Sequence, residues 1–286
     1  MNRRHFVKGA AAGALGASLP FASAAAAPEA GTSRRSYMPL RADVRLGIAS
    51  YSLRTLDREH AVAAISDLGV EYVSVKSMHL PYDAAPEEID RGIREFSDAG
   101  IRVVGGGVIY LTEDSDESMR PLFDYAKAAR FPLMVIGPTR ETLPRVERFV
   151  REYDIPVAIH NHGPEDEQFP APSDALAVIG DMDERIGVCV DVGHTTRTGN
   201  SVVDEIRLAG TRLFDIHMKD LKDLSDARSQ CVVGQGAMPI PAIFRTLLEM
   251  DYPGYVNLEY EIDAQDPVPG MKQSFAYMRG VLDGMA

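Results

Sequence analysis

A chain of 286 residues with 45% hydrophobic and 25% charged content can bury one large core or two smaller ones, which excludes a disordered or fibrous polymer. Its net charge of −12 repels phosphate backbones and excludes nucleic acid as the expected partner. With only two cysteines it cannot be a disulfide-dense scaffold.

The N-terminus reads as a targeting segment. Asn2-Arg3-Arg4-His5-Phe6-Val7-Lys8 sets paired arginines before an apolar residue and a lysine. Gly9 to Ala27 is a small-residue apolar run with Ala22-Ser23-Ala24 and Ala25-Ala26-Ala27 as cleavage sites. Residues 1–27 thus resemble a twin-arginine export signal, and the Ala/Gly-rich run broken by Pro20 argues against a membrane anchor. Removing them takes the formal charge from −12 to −15 and predicts a periplasmic protein with no stable membrane insertion. That route is known for carrying folded proteins, often with a cofactor already inside. Residues 28–43 read as a linker to the folded domain.

From Val44 onward strand-like and helix-like segments alternate. Strand one is Arg45 to Tyr51 and helix one Leu56 to Leu68, with Ala61, Ala64, Ile65 and Leu68 on one face. Tyr72 to Lys76 precedes a helix from Pro86 to Ala99, opened by Pro-Glu-Glu and closed by Gly100. Arg102 to Ile109 is a third strand whose Gly105-Gly106-Gly107 suggests tight packing or a bulge, and Ser118 to Arg130 is its helix. The remaining pairs are Leu133–Gly137 with Glu141–Tyr153, Val157–Asn161 with Ser173–Gly180, Gly187–Asp191 with Val202–Ala209, Leu213–His217 with Ile240–Met250, and Tyr255–Glu259 with Met271–Leu282. Eight consecutive strand–helix pairs predict a single-domain α/β fold, a closed (β/α)8 TIM barrel over residues 44–286. A doubly wound open sheet is the alternative, but no Gly-x-Gly-x-x-Gly opens the first helix. The longest irregular stretch, Leu221 to Met238, would form a lid or substrate wall on the active face.

Strands five to eight end on polar residues, with His160 and His162, Asp191, His217, and Glu259 and Glu261 at positions that face inward at the C-terminal mouth. His160, Asp191, His217 and Glu259 make a mixed nitrogen and oxygen set suited to one divalent ion, Mn, Zn, Co, Fe or Mg, with positions open for a substrate hydroxyl and carbonyl. A lone strand-end histidine is usually a hydrogen-bonded structural residue, and a lone aspartate often caps the next helix. Four such residues on successive strands argue for a site. Cys189 shares the parity of Asp191 and reads as a small buried hydrophobe, whereas Cys231 lies in a polar loop in either redox state. Lys219 shares the face of His217, and Asp215 sits one layer deeper on that face as an acceptor for it. Tyr51, Lys76, His79 and Arg228 lie where a sugar's hydroxyls could be held.

The order of these segments resembles the xylose-isomerase-like barrel family of sugar isomerases and epimerases, inosose dehydratases, hydroxypyruvate isomerase and endonuclease IV enzymes. The resemblance runs from Val44 to the C-terminus and rests on Asp191-Val-Gly-His194, His217-Met-Lys-Asp220, the Gly234-Gln-Gly236 turn and Leu258-Glu259-Tyr260. It implies metal ligation by Asp191, His217 and Glu259, and a substrate or second-metal role for His194. The chain departs from the pattern at strand five, where His160-Asn161-His162 stands in place of the usual metal-binding glutamate, an HNH variant. Exchanging one of two proton-shuttling glutamates for imidazole unsettles a two-base epimerase mechanism, although a histidine off the metal is itself a competent base.

The expected function is a metal-dependent sugar isomerase or epimerase abstracting a proton next to a metal-polarised carbonyl. Glu259, His160 and His194 are the catalytic candidates, and His162, His194, Lys219, Tyr51, Lys76 and Arg228 the substrate-binding ones. A 3-keto-glycoside lyase is the rival within the family. A non-catalytic periplasmic sugar-binding protein and an endonuclease-like phosphodiesterase are the rivals outside it, the last lacking a basic groove and a three-zinc ligand set. The partner is a small sugar or glycoside, and oligomerisation stays open.

Overall fold

The structure is a computed structural model that describes residues 44–285. The signal and linker expected over residues 1–43 lie outside the described residues. Eight parallel strands close a barrel: β1 (Arg45–Ala49), β2 (Tyr72–Val75), β3 (Arg102–Leu111), β4 (Met134–Pro138), β5 (Val157–His160), β6 (Ile186–Asp191), β7 (Leu213–Met218) and β8 (Tyr255–Leu258), with β8 pairing back onto β1. Helices α1 (Arg58–Asp67), α2 (Pro86–Asp98), α3 (Asp116–Ala128), α4 (Leu143–Tyr153), α5 (Pro172–Ile179), α6 (Val192–Arg197), α7 (Val202–Ala209), α8 (Ile240–Glu249) and α9 (Val268–Asp283) complete the alternation. Among the described residues no helix is long and apolar enough to cross a membrane.

Local chemistry sets the boundaries. Asp57 and Ser115 cap α1 and α3 by accepting from the amides of His60 and Ser118. Pro86 opens α2, which buries Ile89 and Phe96 about one and three turns along, and burying Phe96 fully contributes roughly 2–3 kcal/mol. β1 stops at Ala49, not Tyr51, because Ser50–Leu53 coils into a 3-10 turn. There Ser50 Oγ accepts from the Lys76 amide, while Ser52 Oγ accepts from the Tyr260 amide and donates to the Leu258 carbonyl. These hydroxyls replace ladder hydrogen bonds. The three glycines of β3 do mark an irregularity: its register against β4 shifts between Gly106 and Ile109, and the strand runs on to Leu111, carrying Tyr110 to the mouth.

The pleat divides the strand residues into two populations. Ile159, Val188, Val190, Ile216, Met218, Val256 and Leu258 belong to the large cluster between barrel and helices, whereas Val108, Val135, Ala158 and Cys189 form a small one inside. The interior positions of β5 to β8 therefore stack in two layers: Ala158, Cys189, Asp215 and Asn257 below, and His160, Asp191, His217 and Glu259 above. Register puts Asp191 beside His217, and His217 beside Asn257.

Candidate metal centre

The upper layer converges. Donor atoms of His160, Asp191, His217 and Glu259 all lie within 4.8 Å of one another, and all four residues are buried. His160 Nε2 stands 3.0 Å from His217 Nδ1, 3.7 Å from Asp191 Oδ2 and 3.9 Å from Glu259 Oε2, while His217 Nδ1 is 3.2 Å from Glu259 Oε2. Two imidazole nitrogens and two carboxylate oxygens thus face one point.

The two oxygens of Asp191 divide the labour. Oδ1 accepts from the His194 amide at 2.7 Å and caps α6, whereas Oδ2 is buried, pairs with the Lys219 ammonium and faces His160 Nε2 at 3.7 Å. Two buried carboxylates that share one ammonium still have lone pairs free toward the imidazoles, which a divalent ion would satisfy, and the mixed donor set suits Mn, Zn, Co or Fe. The four residues fit a metal.

Charge in the site is balanced by the protein. Lys219 Nζ, on a 3% exposed residue, lies 2.9 Å from Asp191 Oδ2, 3.0 Å from Glu259 Oε2 and 2.8 Å from Glu261 Oε2. Its stem crosses α6 at Gly193, where a Cβ would come within 2.7 Å of Lys219 Cγ, so the Asp-Val-Gly-His and His-Met-Lys-Asp motifs interlock. Burial would lower the Lys219 ammonium and raise the two carboxyls. The attraction between them prevails, holding Lys219 well above the usual lysine range and Glu259 well below that of a carboxyl. Burial pulls His160 down to about 3, so this ring is neutral and its nitrogen is free to ligate. On His217 burial acts the same way, but the Glu259 carboxylate 3.2 Å away holds the ring well above its ordinary value.

Beneath the site, Asp215 Oδ2 is 3.8 Å from His217 Nε2, too far for the expected hydrogen bond. Its other oxygen accepts from Asn257 Nδ2 and the Ile216 amide, and burial pushes the carboxyl up to about 6. Cys189 is buried and free, its thiol pushed up to about 12 by burial.

The other expected residues divide between the mouth and places apart from it. His162 and His194 flank His160, with ring centroids 4.5 and 5.9 Å away, so four of the seven histidines meet at the mouth. Lys76 donates to the Val108 carbonyl at 2.6 Å, with Nζ 5.9 Å from the Tyr51 ring centre. Both line the mouth on the β1–β3 side. His79 does not serve there: it is wholly buried, with ring nitrogens against Ser50 Oγ and the Leu56 carbonyl. Arg228 sits on an exposed turn with its guanidinium beside Asp226, apart from the four donors. Cys231 is buried rather than loop-exposed, because Gln230–Cys231 pairs with Asp220–Leu221 in a short antiparallel ladder within the expected irregular loop.

Some groups around the site escaped the sequence reading. The buried Asp220 carboxylate accepts from the amides of Leu221, Gly234, Gly236 and Met238, clamping both ends of that loop. Gln230 ties its middle to the Glu259 carbonyl and Glu261 amide, so the loop braces a metal-facing residue. Tyr110, 57% exposed, stacks against His162 and with Thr112, Thr139, Asp166 and Gln168 lines a cleft of about 300 Å³ beside the site.

The sequence profile described as Xylose isomerase-like TIM barrel matches residues 58–281. Among solved structures, D-psicose 3-epimerase in the presence of D-fructose is 17% identical with a TM-score of 0.68, covering 84% of this chain and 99% of that one. The probable 3-DHS dehydratase AsbF of Bacillus anthracis is 12% identical, TM-score 0.68, with coverage of 82% and 99%. The IOLI protein with a binding zinc atom is 14% identical, TM-score 0.68, with coverage of 84% and 99%. No curated protein matches the sequence. The profile match over most of the barrel, joined to eight closed parallel strands and a donor set on β5 to β8, means that this chain belongs to the xylose isomerase-like TIM barrel family.

Proposed function

We propose that the chain is a divalent-metal-dependent carbohydrate enzyme of the isomerase or epimerase type, removing a proton from the carbon next to a sugar carbonyl. The observation that carries it is the buried convergence of His160, Asp191, His217 and Glu259 beside an ammonium, an arrangement suited to holding an ion and neutralising an enolate. A bound divalent ion would supply Lewis acidity toward the carbonyl oxygen. The residues supply the rest. His160 on β5 and His217 on β7 would hold the ion, with Asp191 on the intervening β6. Glu259 is the carboxylate positioned to take the proton, and Lys219 stabilises negative charge as it develops. Tyr51, Lys76 and His162 line the approach. The solved epimerase structures of the same fold are consistent with this chemistry.

The cleft beside His162 favours a second reading, a lyase acting on 3-keto-glycosides. There the proton at C2 is removed, the C1–O bond breaks, and the departing oxygen takes up a proton as the aglycone leaves. A tyrosine-walled space next to the metal centre would receive that aglycone. Incubation of metal-loaded protein with free ketoses and with a 3-keto-glucoside tests both. Ketose interconversion supports the first, aglycone release without interconversion supports the second, and neither reaction with any substrate of the two classes defeats the proposal. We place the mature enzyme in the periplasm on the Arg3-Arg4 signal, which N-terminal sequencing of the protein recovered from its host tests.

A further inference from the structure

Arg197 is the last residue of α6, three positions after His194, and its side chain is only 4% exposed. Its guanidinium reaches across to the segment after β5. Nη1 pairs with Glu165 at 2.5 Å, while Nη2 donates to the His162 carbonyl at 3.2 Å and lies 2.9 Å from His194 Nδ1. The seat is cut to fit. Gly163 has φ +85°, and a Cβ there would stand 2.5 Å from Nη2. No side chain could occupy that position without displacing the guanidinium.

An arginine has five N–H donors and no acceptor, and it keeps its proton at any physiological pH. The atom facing it must therefore offer a lone pair. His194 Nδ1 is that atom, which leaves the proton of the neutral ring on Nε2. Nothing in the described protein takes a hydrogen bond from Nε2, and the ring lies 5.9 Å from both His160 and His162, at the rim of the metal centre.

We propose that Arg197 is a positioning residue that fixes His194 as the Nε2–H tautomer, so that the ring meets the ligand as a hydrogen-bond donor and cannot ligate a second metal ion. A ligating imidazole nitrogen needs a free lone pair. Here Nδ1 gives its lone pair to Arg197 and Nε2 has none to give. The site is thereby a one-metal site with a neutral donor aimed at an oxygen of the ligand. The role of the donor in turnover rests on the proposed sugar chemistry, but the tautomer and the metal count do not.

Protein labelled with nitrogen-15 on its histidines, with His194 assigned by comparison with His194→Gln, reports the tautomer directly through long-range ring couplings. The wild type is expected to show an unprotonated Nδ1 and a protonated Nε2, and titration with Mn2+ or Zn2+ to end at one equivalent per chain. Arg197→Gln, whose amide can turn either its oxygen or its NH2 toward Nδ1, no longer dictates the ring proton; it should add the other tautomer to the spectrum and lower kcat roughly tenfold or more, as loss of one preorganised donor does. Arg197→Lys keeps a donor and should restore both signals. A wild-type ring in the Nδ1–H form, or a second ion bound through His194, overturns the proposal even if Arg197→Gln does not fold. A wild-type ring in the expected tautomer with no sugar turnover would instead count against the proposed function alone.

Discussion

Lys219 Nζ lies 3.0 Å from Glu259 Oε2, and that same oxygen lies 3.2 Å from His217 Nδ1. One carboxylate oxygen thus faces both the fixed cation of the protein and an imidazole of the candidate metal site. The ammonium compensates two buried carboxylates whatever else the site holds, and a divalent ion would add its charge on the imidazole side.

Lys219→Met should expose that compensation. Removing one partner of a buried ionic cluster costs about 3–5 kcal/mol, because Asp191 and Glu259 are left buried with one cation fewer. For a domain of this size that corresponds to a fall of roughly 6–20 °C in Tm. Without the competing ammonium the carboxylates attract Mn2+ more strongly, so the thermal shift on adding metal should exceed that of the wild type. Equal Tm values for the metal-free variant and the wild type would show that Lys219 balances nothing.

Metal uptake should release a proton. His217 is held well above its ordinary value by the neighbouring Glu259 carboxylate, so the metal-free ring is protonated near neutrality and must lose that proton to ligate. Linkage gives the sign: the His217–Glu259 pair contributes stability to the metal-free protein below the unfolded histidine value, and that contribution is lost as pH rises through the raised folded value. Metal affinity moves oppositely, weakening as pH falls by about one log unit per pH unit while the ring is protonated. Calorimetric titrations in two buffers of different ionisation enthalpy measure the proton count, and zero protons released at pH 7 would contradict this.

Asp191→Asn and Asp191→Ala separate the two oxygens of one side chain. Asparagine can still accept from the His194 amide and cap α6 but should lose metal affinity; alanine loses both, with about 1 kcal/mol of additional destabilisation. Metal content and urea unfolding on the pair check this. A metal-replete Asp191→Asn protein, or two variants of equal stability, would go against it.

Most of the barrel could be read from alternation alone, because each strand buries both faces and each helix repeats its apolar residues at helical spacing. The four ligand candidates were readable too, since their strands end on charge where packing would prefer an apolar residue. What escaped the reading depends on distance in three dimensions. Tyr110 was cut off by ending the third strand at Ile109, because three glycines hid how far β3 continues past its register shift. Arg197 looks like an ordinary C-terminal helix cation, and only folding brings it to His194 and Glu165 together. The Asp220 clamp closes on amides 14 to 18 residues away, which no local pattern announces. Helix α6 was missed because its six residues are too few for a periodic signal.

His160→Glu restores the carboxylate that the family resemblance leads one to expect on β5. The metal should stay, since carboxylate ligates as imidazole does. A third anion beside Asp191 and Glu259 should, however, lower the stability of the metal-free protein and disfavour an enolate. Aglycone release should therefore fall relative to ketose epimerisation, and full release by the variant would show that the imidazole has no special part in elimination.

The central claim is that His160, Asp191, His217 and Glu259 form one metal site. Anomalous diffraction at the absorption edge of the metal found in protein purified from its native host tests it most directly. The account requires a single peak at about 2.0–2.4 Å from the four donor atoms, at one ion per chain. No peak among these donors, or an ion held by other residues while this set stays unligated, would contradict it.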